Sequence, residues 1–200
     1  MLLLRQAVDQ TGDIAHDLGV HEMFAVSGRL AYALMCLTLT LGVLTTTGWL
    51  NRLAGRQALR SGHLVVGTLT LGFAFSHVVA LLFMRVEVYT AWEVFMPFNG
   101  GVKLQHTLGI LAFEGMLAAS IVVGVRRWLS YRQWLGIHRI SYVAFGCGVV
   151  HAFFGALNSG SLSTLWLAGI TLLVPTVTIA LVRFVPSRAL SSTGIYGDEP

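Results

Sequence analysis

Apolar residues come in runs of about twenty separated by short polar stretches, and the runs fall near Leu30 to Leu50, Leu64 to Met84, His106 to Val125, Ile140 to Leu157 and Leu165 to Val185. About twenty apolar residues in a helix match the hydrocarbon core of a bilayer. Backbone polar groups in lipid must be paired within the segment, and no alternating ten-residue barrel pattern is present, so the runs predict helices. The expected fold is therefore an all-α integral membrane protein, a bundle of five transmembrane helices with a short fourth span. Residues 1–25 carry Asp9, Asp13, Asp17 and Glu22 against Arg5 and predict an N-terminal extracytoplasmic surface segment. The opening MLLL is too short for the apolar core of a signal peptide. Residues 26–185 then form the membrane domain, and 186–200 a loose cytoplasmic tail.

Composition agrees, with 55% hydrophobic and only 11% charged residues among 200. The net charge of +4 does not indicate nucleic acid, because the arginines are gathered in short loops between apolar runs. Arg52, Arg56 and Arg60 follow the first run, Arg126, Arg127 and Arg132 the third, and Arg183 and Arg188 close the last. On the opposite side, Arg5, Arg29, Arg85 and Lys103 are offset by acidic residues. Positive charge inside then puts the N-terminus outside and the C-terminus in the cytoplasm. Cys36 and Cys147 lie inside apolar runs without CxxC spacing, which reads as core packing.

Four histidines break the apolar pattern. His63 and His77 stand 14 apart near the two ends of the second run, and His138 and His151 stand 13 apart around the fourth. Ionisable side chains in membrane helices are costly and mark functional sites. With one span between them, the second and fourth run in the same direction, so His63 meets His138 at the cytoplasmic level and His77 meets His151 about 20 Å further out. Two neutral imidazoles facing each other across a flat cofactor are the axial ligands of a low-spin b-type haem, which transfers electrons because neither axial position stays open. Gly67 and Gly72, and Gly146 and Gly148, lie between the histidines and would leave room for a porphyrin. Fourteen positions bring a helical side chain back to nearly the same face, whereas thirteen leave it about 140° away. The fourth helix therefore needs a distortion, expected at Gly146-Cys147-Gly148.

A single histidine in an apolar helix is usually a packing residue hydrogen-bonded to a hydroxyl or carbonyl. Four at matched depths favour haem ligation, and a zinc or other metal path lacks carboxylate partners at the same levels. Glu114 lies near mid-membrane and is a candidate proton-relay or quinone-site group, or a neutral Glu bonded across helices. His106 and Lys103 on the outer side, and Arg60 and Arg139 on the inner, are candidate propionate partners, with interfacial anchoring as the alternative. Phe73, Phe75 and Phe145 between the two levels read as packing. Trp49, Trp92, Trp128, Trp134 and Trp166 fall near span ends, as interfacial anchors do, and the aromatic loop from Val86 to Gly101 would cap the outer site or meet a partner.

The H-x13-H of the second run, with W-x3-H-R-x2-Y and H-x12-H across the fourth, resembles the ferric reductase-like transmembrane domain. NADPH oxidases, ferric reductases and the haem-binding membrane subunit of bacterial periplasmic methionine sulfoxide reductase share that domain. The likeness covers roughly Gly28 to Val182. It implies two b haems, the inner on His63 and His138 and the outer on His77 and His151, with electrons moving outward from the cytoplasmic side. The familiar domain has six spans against the five expected here. The family's oxidases and reductases also append a cytoplasmic flavin and nicotinamide domain, for which the fifteen residues after Val185 leave no room. Flavin, if any, is thus expected on a separate partner.

The resulting expectation is a bacterial-type plasma (inner) membrane cytochrome b. Its donor would be a separate flavoprotein or a membrane quinol, and its external acceptor ferric iron, oxygen or a redox protein. Two alternatives remain: a quinol-coupled cytochrome b subunit of a larger redox complex, in which Glu114 would act, and a non-redox membrane scaffold or metal transporter.

Overall fold

A computed structural model describes residues 2–47, 55–98, 103–160, 162, 169 and 176–178. Among these residues all regular structure is helical. Helix α1 spans Leu2–Thr47, α2 Arg56–Ala80 with a 3₁₀ turn at Leu81–Phe83, and α3 is the short Ala91–Phe95. Helix α4 spans Leu104–Gly124, followed by a 3₁₀ turn at Arg126–Trp128, and then come α5, Tyr131–His138, and α6, Ile140–Ser159. Four stretches are long and apolar enough to cross a membrane: Thr11–Thr46, Arg56–Phe83, Leu104–Gly124 and Tyr131–Ser159. The fifth expected span, Leu165 to Val185, and the tail lie almost wholly outside the described residues, as do Trp49 and Trp166.

The first two helices pack along each other, and so do α4 and α6. Thr38 and Thr70 join the first pair through a hydroxyl contact of 3.1 Å, each hydroxyl also bonding a carbonyl of its own helix. In the second pair, a Cβ on Gly115 would come within 2.6 Å of the Ala144 Cβ, so this approach depends on glycine. Between the two pairs lies a small core of Tyr32, Met35 and the fully buried Cys36, against which Met116, Phe145, Val149 and Ala152 pack. Phe145 is thus a packing residue, as expected, and Phe75 stacks on Phe113 with ring centres 6.4 Å apart.

Three features differ from expectation. Helix α1 has 46 residues and runs without a break from the acidic N-terminal segment into the first span. At 1.5 Å per residue that is about 69 Å, more than twice the hydrocarbon core, so part of α1 projects beyond it. The projecting part is tied back: the Asp17 carboxylate accepts the backbone N–H groups of Arg85 and Val86 at 2.9 and 2.8 Å, and the Arg85 guanidinium donates to Asp13 at 3.2 Å. The loop after α2 is partly built, with Thr90 and Glu93 forming a reciprocal cap on α3. Those bonds to the Thr90 backbone and hydroxyl hold the Glu93 carboxyl below its ordinary pKa.

The second difference is the place of the helix distortion. Helix α6 is continuous through Gly146-Cys147-Gly148, and the break falls at Arg139, directly after His138. The Ser141 hydroxyl donates to the His138 carbonyl at 2.6 Å, and the Tyr142 N–H reaches the Arg139 carbonyl in a three-residue turn. The third concerns length: α5 and α6 together give the fourth span 29 residues, so it is not short.

Candidate functional site

Both predicted histidine pairs are brought together. His63 and His138 have ring centres 6.2 Å apart with planes at 79°, and His77 and His151 have centres 6.2 Å apart with planes at 77°. The pairs bridge α2 to α5 and α6, whose backbones hardly approach each other. Because 63 meets 138 and 77 meets 151, these elements run in the same direction. The break at Arg139 falls between His138 and His151, which thirteen regular helical positions would leave on different faces.

A metal–nitrogen bond is about 2 Å and an imidazole nitrogen lies about 1.1 Å from its ring centre, so two rings trans on one iron have centres about 6.2 Å apart. On a tetrahedral ion the same bonds would bring the centres to about 5 Å. The observed separations leave room for one metal centre between the two rings of each pair. Among the described residues no three His, Cys, Asp or Glu side chains gather as a bare ion's ligands would.

Orientation is set from behind the rings. His77 Nδ1–H donates to the Phe24 carbonyl at 2.8 Å, His63 Nδ1–H to the Thr38 carbonyl at 2.9 Å, and His151 Nδ1–H to the Gln105 carbonyl at 2.7 Å. With Nδ1 committed as donor, Nε2 is the nitrogen free to ligate. The Phe24 ring also stacks on His77 at 3.9 Å. His138 is held differently: among the described residues its Nδ1 is buried with no hydrogen-bond partner, as is Nε1 of Trp134, whose ring stacks on the imidazole at 5.5 Å and 6°. The Arg126 guanidinium covers Trp134 at 4.7 Å from its ring centre.

The glycines that matter were missed by the sequence reading. A Cβ on Gly28 would lie 2.7 Å from His77 Nδ1, on Gly109 2.8 Å from His151 Nδ1, and on Gly42 3.1 Å from His63 Cε1. Of the four glycines expected to make room, Gly72 and Gly146 do face open space. Gly67 and Gly148 instead meet Thr38 at 3.5 Å and Met35 at 3.0 Å, so they serve helix packing. The signal was available: Gly28 and Gly42 are 14 apart, as are His63 and His77 on the antiparallel neighbour.

Arg60 and Arg139 are exposed, close in sequence to His63 and His138. Lys103 is exposed immediately before α4, and His106 is half-buried next to Gln105, which holds His151. Glu114 is exposed on the outer face of α4 with Leu117 and Ile121, whereas Gly109, Ala112 and Gly115 face α6.

The family model for the ferric reductase like transmembrane component matches residues 27–149. The chain belongs to this family. The match takes in Gly28 and Gly42 of α1, both histidines of α2, all of α4 and His138, and ends just before His151. Membership makes this ferric reductase-like chain a membrane-embedded redox electron-transfer protein of a family whose domains bind haem. Comparison with curated proteins and with solved structures finds no match.

Proposed function

We propose that this ferric reductase-like chain is a di-haem b protein that carries electrons across a bacterial-type plasma membrane, from a cytoplasmic-side donor to an external acceptor. His63 and His138 would hold the inner haem and His77 and His151 the outer one. The observation that carries the reading is the repetition of one two-imidazole arrangement, with the same ring separation and nearly the same interplanar angle, at two levels. A haem held by these residues would supply one-electron transfer. The chain's own part is to fix the four rings, keep the intervening core dry with Tyr32, Met35 and Cys36, and separate the levels by about 20 Å along α2.

The arginine-bearing loops support a cytoplasmic inner level and an outer N-terminus. Arg60 and Arg139 are then proposed partners for the inner propionates, and Lys103 and His106 for the outer ones. The donor is a separate flavoprotein or a membrane quinol, and the acceptor ferric iron, oxygen or a redox protein. A reduced-minus-oxidised spectrum of the purified protein with a pyridine haemochrome count tests the reading. About two b haems per chain are expected. One would make one histidine pair structural, and none in a folded protein expressed with haem supplied would overturn the proposal.

A further inference from the structure

Three of the four histidines meet the same construction. A helical residue i offers its carbonyl to the imidazole, and residue i+4 is glycine: Phe24 with Gly28 for His77, Thr38 with Gly42 for His63, Gln105 with Gly109 for His151. The spacing has a mechanical reason. A helical side chain leans toward the N-terminus and covers the turn before it, so a side chain at i+4 shields the carbonyl of i. Glycine uncovers that carbonyl, which then accepts the imidazole N–H in addition to its bond within the helix. At Gly28 and Gly109 a Cβ would stand under 3 Å from the ring, and at Gly42 just over it, so only glycine lets the ring in at full reach.

We propose that these glycine–carbonyl clamps are positioning devices that set the reduction potential of each haem iron separately, two acting on the outer iron and one on the inner. The inference rests on the di-haem reading. An Nδ1–H bonded to a carbonyl makes the imidazole a stronger electron donor, which favours the oxidised iron and lowers its potential. His138 lacks a clamp: among the described residues its Nδ1 is buried with no hydrogen-bond partner.

The test is a redox titration of the haem absorbance in the full-length protein, with the low-spin haem resonances recorded alongside. Gly28→Ala and Gly109→Ala should both raise the same component, the outer. Gly42→Ala should raise the other by less, and Gly62→Ala, which only meets Leu41 at an ordinary 3.7 Å, should move neither. The expected size is about tenfold in the reduced-to-oxidised ratio at fixed potential, or about 59 mV for one electron.

Unmoved potentials in clamp variants that keep both haems would overturn the proposal, as would Gly28→Ala and Gly109→Ala acting on different components. If either variant loses its haem, Gly42→Ala decides, because its Cβ would stand just over 3 Å from the His63 ring. A raised inner potential supports the clamps and an unchanged one overturns them. A parent protein without haem would overturn the di-haem reading instead, before any variant is compared.

Discussion

At the outer level His77 and His151 each donate Nδ1–H to a helix carbonyl laid open by glycine, while at the inner level His63 does so and His138 rests on the face of Trp134. The difference follows from continuity of the helices. Along α1 and α2 both chains are unbroken, so one antiparallel register delivers a carbonyl and a glycine at Phe24 and Gly28 and again, fourteen residues on, at Thr38 and Gly42. On the other side, the break at Arg139 falls between the two histidines, and the construction is used once, at Gln105 and Gly109. Equal ring separations at two levels thus conceal unequal support.

The largest expected effect is on haem number. His77→Ala or His151→Ala should lower the count from about two to about one per chain with the remaining spectrum intact, and His63→Ala should remove the other haem. Loss of both, or of neither, in a folded variant would dissolve the division into two levels. Next in size is haem release: with a haem scavenger added, the parent protein should lose its inner haem about tenfold faster than its outer one, the scale of a missing hydrogen bond behind a ligand. Simultaneous release would mean that the stacked tryptophan serves as well as a carbonyl.

Trp134→Leu should shift only the inner component, by less than tenfold in redox ratio, since a ring stack is worth about 1 kcal/mol. A shift of the outer component would show that the levels are coupled through the core. The smallest expected effect is that of Glu114→Gln. Its side chain lies on the outer face of α4, so both haem spectra should be unchanged in a difference spectrum. Loss of quinol reduction with those spectra intact would mark this face as a quinol site and the chain as part of a quinol-coupled complex.

Four of the five expected spans and the meeting of the histidines were legible because both rest on counting: twenty apolar residues to a bilayer, and two histidines to a level. The distortion was half legible. The helical repeat required one between His138 and His151, but glycines drew it to Gly146-Cys147-Gly148, where Met35 packs against Gly148 and the helix runs on. The actual break is made by Ser141 bonding back to the His138 carbonyl, a choice a serine makes in many contexts and does not announce. The clamps were hidden because a glycine in a membrane helix suggests close packing in general. Only the register of α1 against α2 shows that Gly28 and Gly42 oppose His77 and His63.

The turn at Arg139 also separates two kinds of ruler. Helix α2 carries both of its rings on one unbroken rod, so their spacing is fixed by the helical repeat itself. On the facing side the spacing is the sum of two rods and a joint, and a joint can be reset by inserting or deleting a residue without rebuilding either rod. In this architecture the distance between the levels is inherited from α2, and α5 and α6 supply the fine adjustment.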